Sequence, residues 1–325
     1  MKKVLKWLFY ALSLFLIVFI TNEKIPKIAN KYYLWTYREA NNIDSAEFEF
    51  LIRKASIDCI KNKRWDTPLV LLANSSSLLN YLRTSIPVFE YGEYGYLLHY
   101  SYLYGILNND NEIKGLVKDM FDGQCLGKRI TRNDQVTYGN VALDLYTETR
   151  DEKYKEYADA VYHRLDSLDA IDGVVLYNEG KKTEQRVDGI GLVCPFLFYY
   201  AKVMNNQSAK EIGDKMVGDY IKWGTDPETG IPAKAYGRDT HIKHISPNWG
   251  RGISWYLLGI IDSDSQDIVQ KGRIDVLVNY LMADSDHLYS QYIDEDGLPD
   301  MSSTIPIIWF LNKKKGYLNI RYFND

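Results

Sequence analysis

The chain has 325 residues, with 43 acidic against 39 basic side chains, a net charge of −4 at pH 7 and a pI near 5.8. Its cations are scattered rather than clustered, which argues against nucleic acid as a partner. Three cysteines, Cys59, Cys125 and Cys194, an odd number with no short paired spacing, give neither a disulfide framework nor a metal motif.

Residues 1–24 begin with three lysines and continue as an uncharged run from Trp7 to Asn22. This is a targeting or anchoring segment. The run is short for a full span, but no small-x-small cleavage site follows it, so an uncleaved membrane anchor is expected, with a cleaved signal peptide as the alternative. Lysines ahead of the run stay cytoplasmic, which places the body, residues 25–325, outside the cytoplasm and tethered, or secreted or periplasmic if cleaved.

From about Asn30 the pattern is helical, with amphipathic segments near 44–62, 67–82, 93–108, 111–121, 136–149, 151–168, 187–204, 207–223, 248–263, 265–284 and 303–313. Strand signals are few. Several segments are apolar on more than one face, as in Tyr96 to Tyr104, which predicts helices packed on both sides. Three loops recur, around Asp172-Gly173, Thr229-Gly230 and Asp296-Gly297, each placing a glycine before a short extended piece about one helix pair from the next. That spacing fits a closed or stacked array of helical hairpins, although glycine also simply ends helices. No Pro- or Ser-rich linker interrupts the body, so one all-α domain is expected. The 27 Tyr and 7 Trp suit surfaces that are half apolar and half wet, sugar-stacking clefts among them.

Chemistry is expected where loops meet helices at one end of such an array. Three places qualify. Asp134 lies in Thr131 to Asn140, ahead of Tyr138. Asp188 heads the apolar run Arg186 to Ala201, beside Gly189 and Gly191. Arg251 lies between two glycines and is flanked by Trp249 and Trp255. From its own stretch, Asp188 reads equally as a helix cap or as a used carboxylate. Two carboxylates facing one pocket can have their pKa values pushed apart, one donating a proton and one staying charged, which is glycosidase-like chemistry. Arg251 suits a carboxylate-bearing sugar, the guanidinium forking onto the acid while indole stacks on the ring, or else an ordinary Arg-acid pair beneath a helix start. His241 and His244 precede this cluster and either line the same mouth or are solvated loop histidines, the commoner case; they lack a third partner for zinc. No metal or cofactor is expected.

The ordered blocks Asp134…Tyr138-Gly139…Tyr146-Thr147-Glu148-Thr149-Arg150-Asp151-Glu152-Lys153-Tyr154, Asp188…Pro195-Phe196-Leu197, and Thr229-Gly230-Ile231…Trp249-Gly250-Arg251-Gly252-Ile253-Ser254-Trp255 resemble the unsaturated uronyl hydrolases of glycoside hydrolase families 88 and 105. The resemblance spans roughly residues 85 to 310. It implies an (α/α)6 barrel and hydration of the C4=C5 double bond of an unsaturated uronic acid, with Asp188 as general acid and base and Asp134 close by. Arg251, Trp249, Trp255, Tyr138 and His244 are the expected substrate-binding residues, and an oligosaccharide or polysaccharide is the expected partner. The chain departs from the family where Pro232, Ala233 and Lys234 replace an aromatic residue and a His, and where Ile253 and Ser254 replace Asn and Gly. These changes are expected to face substrate. They also raise an alternative, a membrane-anchored barrel that serves surface polysaccharide assembly or export, either as a different glycan hydrolase or as a non-catalytic glycan binder.

Overall fold

The structure, a computed structural model, describes residues 45–63, 89, 92–167, 170–171, 174–175, 183–244, 249–263, 268–283, 289, 292–293 and 300–315. The expected N-terminal anchor, the helix near 67–82 and the glycines of the first and third recurrent loops lie outside these residues.

Helices run over Ser45–Lys61 (α1), Gly92–Leu107 (α2), Asn111–Gln124 (α3), Thr137–Thr149 (α4), Glu152–Ser167 (α5), Val187–Met204 (α6), Gln207–Asp219 (α7), Gly250–Ile260 (α8), Ile268–Ala283 (α9) and Met301–Lys315 (α10). The expected helical segments thus fall on helices wherever the residues are described. A 3-10 turn at Asn133–Val136 leads into α4, and a π-turn at Tyr220–Gly224 follows α7.

Side-chain contacts fix how the helices lie. Gly92 and Gly95 of α2 pack on Asp134 and Thr137 at the head of α4, and His99 farther along α2 reaches Asp144 farther along α4, so the two helices are parallel. Gly139 of α4 meets Phe196 of α6, and Asp144 meets Tyr199, again in parallel. Gly191 of α6 lies against Trp255 of α8, and Ser254 of α8 donates to the Ser303 carbonyl at the head of α10. Five parallel helices, α2, α4, α6, α8 and α10, therefore form the inner wall of a barrel. Helices α3, α5 and α7 return along the outside, each packed on the inner helix before it, as where Phe198 lies on Gly213. One contiguous apolar core joins the two layers.

Helix α6 is apolar all round because it is covered on three sides, by α4, α7 and α8. It is long and apolar enough to cross a membrane, but most of it is buried inside the barrel, as expected of a core helix. Local chemistry sets the outer turns. Asp110 caps α3 by accepting from the Glu112 and Ile113 amides, and the Arg53 guanidinium of α1 donates to Asp110 at 2.5 Å and to Glu112 at 2.8 Å.

Helix α4 ends at Arg150, whose φ of 58° is left-handed. Because an L side chain in this region is strained, Arg150→Gly is expected to stabilise the fold by about 1 kcal/mol, less whatever the guanidinium contributes over the Tyr146 ring. Chemical denaturation with an unchanged m value checks it.

The strands are short. Ala170–Ile171 (β1) pairs antiparallel with Val174–Val175 (β2). Glu184–Arg186 (β3), Ala235–Gly237 (β4) and Lys243–His244 (β5) form a second antiparallel sheet in the order β3-β4-β5, with Arg186 opposite Ala235 and Ala235 opposite His244. This sheet feeds directly into α6 at the end of the barrel where the inner helices begin.

Candidate active site

Asp188 lies in the first turn of α6, immediately after β3. Strand pairing carries the chain near residue 234 alongside it, and the Val187 amide donates to the Lys234 carbonyl at 3.0 Å. Burial pushes the Asp188 carboxyl above the ordinary carboxylate range, while its own backbone amide and the positive charges of Arg186, Lys234 and Arg251 pull the other way. A largely desolvated acid is thus ringed by three cations. Below it Tyr220 is fully buried, its hydroxyl donating to the Ala233 carbonyl at 2.6 Å.

Arg251 and Trp249 join this end of the barrel. Trp249 sits just ahead of α8, and the Lys234 ammonium lies 6.0 Å from its ring centroid. Arg251 in the first turn of α8 is exposed. Arg251, Trp255, Leu258 and Asp262 follow one another at helical spacing on the less buried face of α8. Arg186 Nε is buried without a hydrogen bond and lies 3.7 Å from Glu184.

Asp134 is at the same end, because α4 and α6 are parallel and the 3-10 turn that holds it packs against α6. Its carboxylate is gripped by Arg132 through two hydrogen bonds, Nε at 2.9 Å and Nη2 at 2.7 Å. The structure therefore groups Asp188 with Arg251 and Trp249, while Asp134 meets a local arginine. His244, on β5, is half exposed, and its Nδ1 is 3.8 Å from Glu184 Oε1. His241 stacks on Trp223 at 3.8 Å instead.

Two more of the expected binding residues lie deeper in the barrel. Tyr138 is fully buried and stacks on Phe89 at 4.8 Å; burial among Cys125, Tyr94 and Tyr157 pushes its phenol far up. It points about 200° around α4 from Asn140, so it packs between barrel layers. Trp255 lies partway down the lumen, its ring on Gly191 and 6.0 Å from the Tyr96 ring, and the Tyr96 hydroxyl donates to the Gly191 carbonyl. Tyr96, Gly191 and Trp255 meet across the inner wall.

The departures at Ile253 and Ser254 are buried. Ile253 is in the core and Ser254 is 2% exposed, bonded to α10. Helix α8 begins at Gly250, which turns positions 253 and 254 toward neighbouring helices while 251 and 255 keep the open face. Lys234, in contrast, acts directly on Asp188. Arg186, Tyr220 and the placement of Lys234 were not legible locally, because they depend on the β3–β4 pairing between distant segments. Among the described residues no three His, Cys, Asp or Glu side chains gather as a metal site.

Three solved structures illustrate the likeness. A glycoside hydrolase from family 105 of C. acetobutylicum ATCC 824 aligns with TM-score 0.60 and 18% identity over 71% of this chain and 73% of that one. A possible family 105 member from Salmonella enterica serovar Paratyphi A gives 0.60 and 18% over 68% and 63%, and one from Klebsiella pneumoniae gives 0.60 and 16% over 68% and 62%. The chain thus spans less than two thirds of the latter two proteins. At these identities the likeness establishes the fold, an (α/α)6 barrel. No protein with a curated description matches. Residues 91–298 match Glycosyl Hydrolase Family 88 and cover most of the inner wall and the whole Asp188 cluster, so the chain belongs to that family of glycosidases.

Proposed function

We propose that the protein is a hydrolase of uronic-acid-containing oligosaccharides that hydrates an unsaturated uronyl residue at the non-reducing end, with Asp188 as general acid and base. The observation that carries this reading is the Asp188 carboxyl, raised by burial yet surrounded by Arg186, Lys234 and Arg251. A buried acid supplies the proton, and the cations suit a substrate carboxylate. By family resemblance, Asp188 protonates C4 as the double bond opens. Water then adds its oxygen at C5 and returns a proton to the carboxylate. The hemiketal so formed opens and releases the adjoining sugar. Trp249 supplies an aromatic face beside the cations, and Asp134, held by Arg132, braces the same rim.

Residues 1–24 support a further part of the reading: three lysines and the uncharged run behind them anchor the barrel outside the cytoplasm. Exported oligosaccharide, such as lyase products, is then its substrate pool.

The test is bleaching of near-ultraviolet absorbance when the purified full-length protein meets lyase-generated unsaturated oligosaccharides. Because burial raises the acid, kcat/KM is expected to hold through the ordinary carboxylate range and fall only as pH climbs past the raised Asp188 value. Absence of bleaching across uronides of different linkage refutes the reaction. Glycan binding that persists without turnover would instead identify a non-catalytic binder.

A further inference from the structure

The barrel has a cavity away from the Asp188 cluster. The inner helices enclose about 690 Å³ there, and the cavity opens at their C-terminal ends. Its lining on α6 begins at Pro195, about 10 Å along the helix from Asp188. It is therefore separate from the cluster described above.

Several of its polar groups are costly to bury, and one of them has no partner in the fold. Asn140 is 1% exposed, lines the cavity, and neither its amide nitrogen nor its amide oxygen has a hydrogen-bond partner. Two orphaned polar atoms on one buried amide are unusual in a folded protein. Beside it, Asp144 is buried with both oxygens engaged, Oδ2 at 2.6 Å from His99 Nδ1 and Oδ1 accepting from the Tyr199 hydroxyl at 3.0 Å. That contact fixes the orientation of the His99 ring, which lines the cavity and has Nε2 as its remaining polar atom. At the mouth, two large aromatic side chains stay in water, Tyr100 at 46% and Trp309 at 39% exposure.

We infer that this chamber is a binding site for a neutral saccharide unit, distinct from the cationic end. A planar amide offering both a donor and an acceptor, beside an oriented imidazole, matches neighbouring hydroxyls on a sugar ring. Exposed aromatic faces at the rim match the apolar face of a pyranose. Asp144, its carboxyl pushed up by burial and held by His99 and Tyr199, offers no positive charge to an anionic ligand at the inner wall. Lys202, Lys210 and Asp262 also line the chamber, with Lys210 paired to Asp214 at 2.7 Å, so the rim carries both signs. The volume falls within the range of small-molecule sites.

The test is calorimetric titration of the full-length protein with cellobiose, maltose and, as the anionic arm, digalacturonate. At least one neutral disaccharide is expected to bind saturably, and its affinity is expected to fall at least tenfold in Asn140→Leu and in Trp309→Ala while persisting in Asp188→Asn. Trp309→Ala changes only a half-exposed rim residue, so it reports even where a buried substitution perturbs folding. Without ligand, Asn140→Leu is expected to keep or raise the melting temperature, since it removes two unsatisfied buried atoms. The inference is overturned if no neutral disaccharide saturates the protein, if Trp309→Ala leaves affinity unchanged, or if neutral binding disappears with Asp188→Asn. A lower melting temperature in ligand-free Asn140→Leu also overturns it, because the amide would then serve packing.

Discussion

Asp188→Asn is expected to abolish turnover of unsaturated uronides by about 10²- to 10⁴-fold, the range for losing one positioned proton donor, and to make the protein more stable at neutral pH. The amide keeps the shape of the side chain but cannot deliver a proton to C4, so the loss appears in kcat. The stability change follows from linkage. The folded-state carboxyl titrates above its unfolded value, so the native state binds more protons than the unfolded chain over that interval. Its contribution to stability is present at low pH and is lost as pH rises through the folded pKa. At neutral pH the wild type therefore holds a poorly solvated charge that the amide removes. A gain within about 0.5–2 kcal/mol is typical when a strained functional group is neutralised. It should shrink as pH falls toward the ordinary carboxylate range. Paired thermal melts of wild type and variant at neutral and acidic pH measure it. A variant that is less stable at neutral pH would mean that the carboxylate serves structure through Arg186, Lys234 and Arg251 rather than being held ready for a proton.

Gly191→Val is expected to destabilise the barrel by about 3 kcal/mol, the upper end of what overpacking usually costs. A Cβ at position 191 would come within 2.5 Å of the Trp255 carbonyl oxygen and 2.7 Å of its Cα. Those atoms belong to a helix backbone, so no rotamer change relieves the clash; α6 and α8 have to move apart. The Tyr96 hydroxyl that donates to the Gly191 carbonyl would lose its partner as well. Because α6 also carries Asp188, three residues before this crossing, the same variant should weaken catalysis without touching an acid. Denaturant unfolding and kcat/KM measure the two effects, and a loss under 1 kcal/mol would show that the helices are not held at this distance.

Much of the helical architecture is carried by local pattern. Apolar residues at helical spacing place the helices from 93 to 149 and from 187 to 223, and the all-round apolar character of α6 already marks it as buried. The acids ahead of α4 and at the head of α6 stand out because a carboxylate beside an apolar helix is costly unless it is used. Other features needed the fold. Tyr138 reads as a binding residue beside Asp134, yet the rotation of α4 turns it between layers. Ile253 and Ser254 read as substrate-facing, yet the start of α8 at Gly250 turns them toward other helices. Two signals were present but required a partner to interpret: His99 among tyrosines and Asp144 inside an apolar helix are each expensive alone, and only parallel packing of α2 on α4 brings them to 2.6 Å.

The sequence by itself determined the helices and the proton-donor candidate, because these rest on residue types at short spacing within a single segment, and it pointed to the family through the order and spacing of three blocks along the chain. Tertiary structure alone decided which charges surround Asp188 and that a polar cavity lies away from that cluster. Both come from strand and helix pairings between distant segments, where the direction a side chain faces is set by the register of its neighbours and cannot be read from its own stretch of chain.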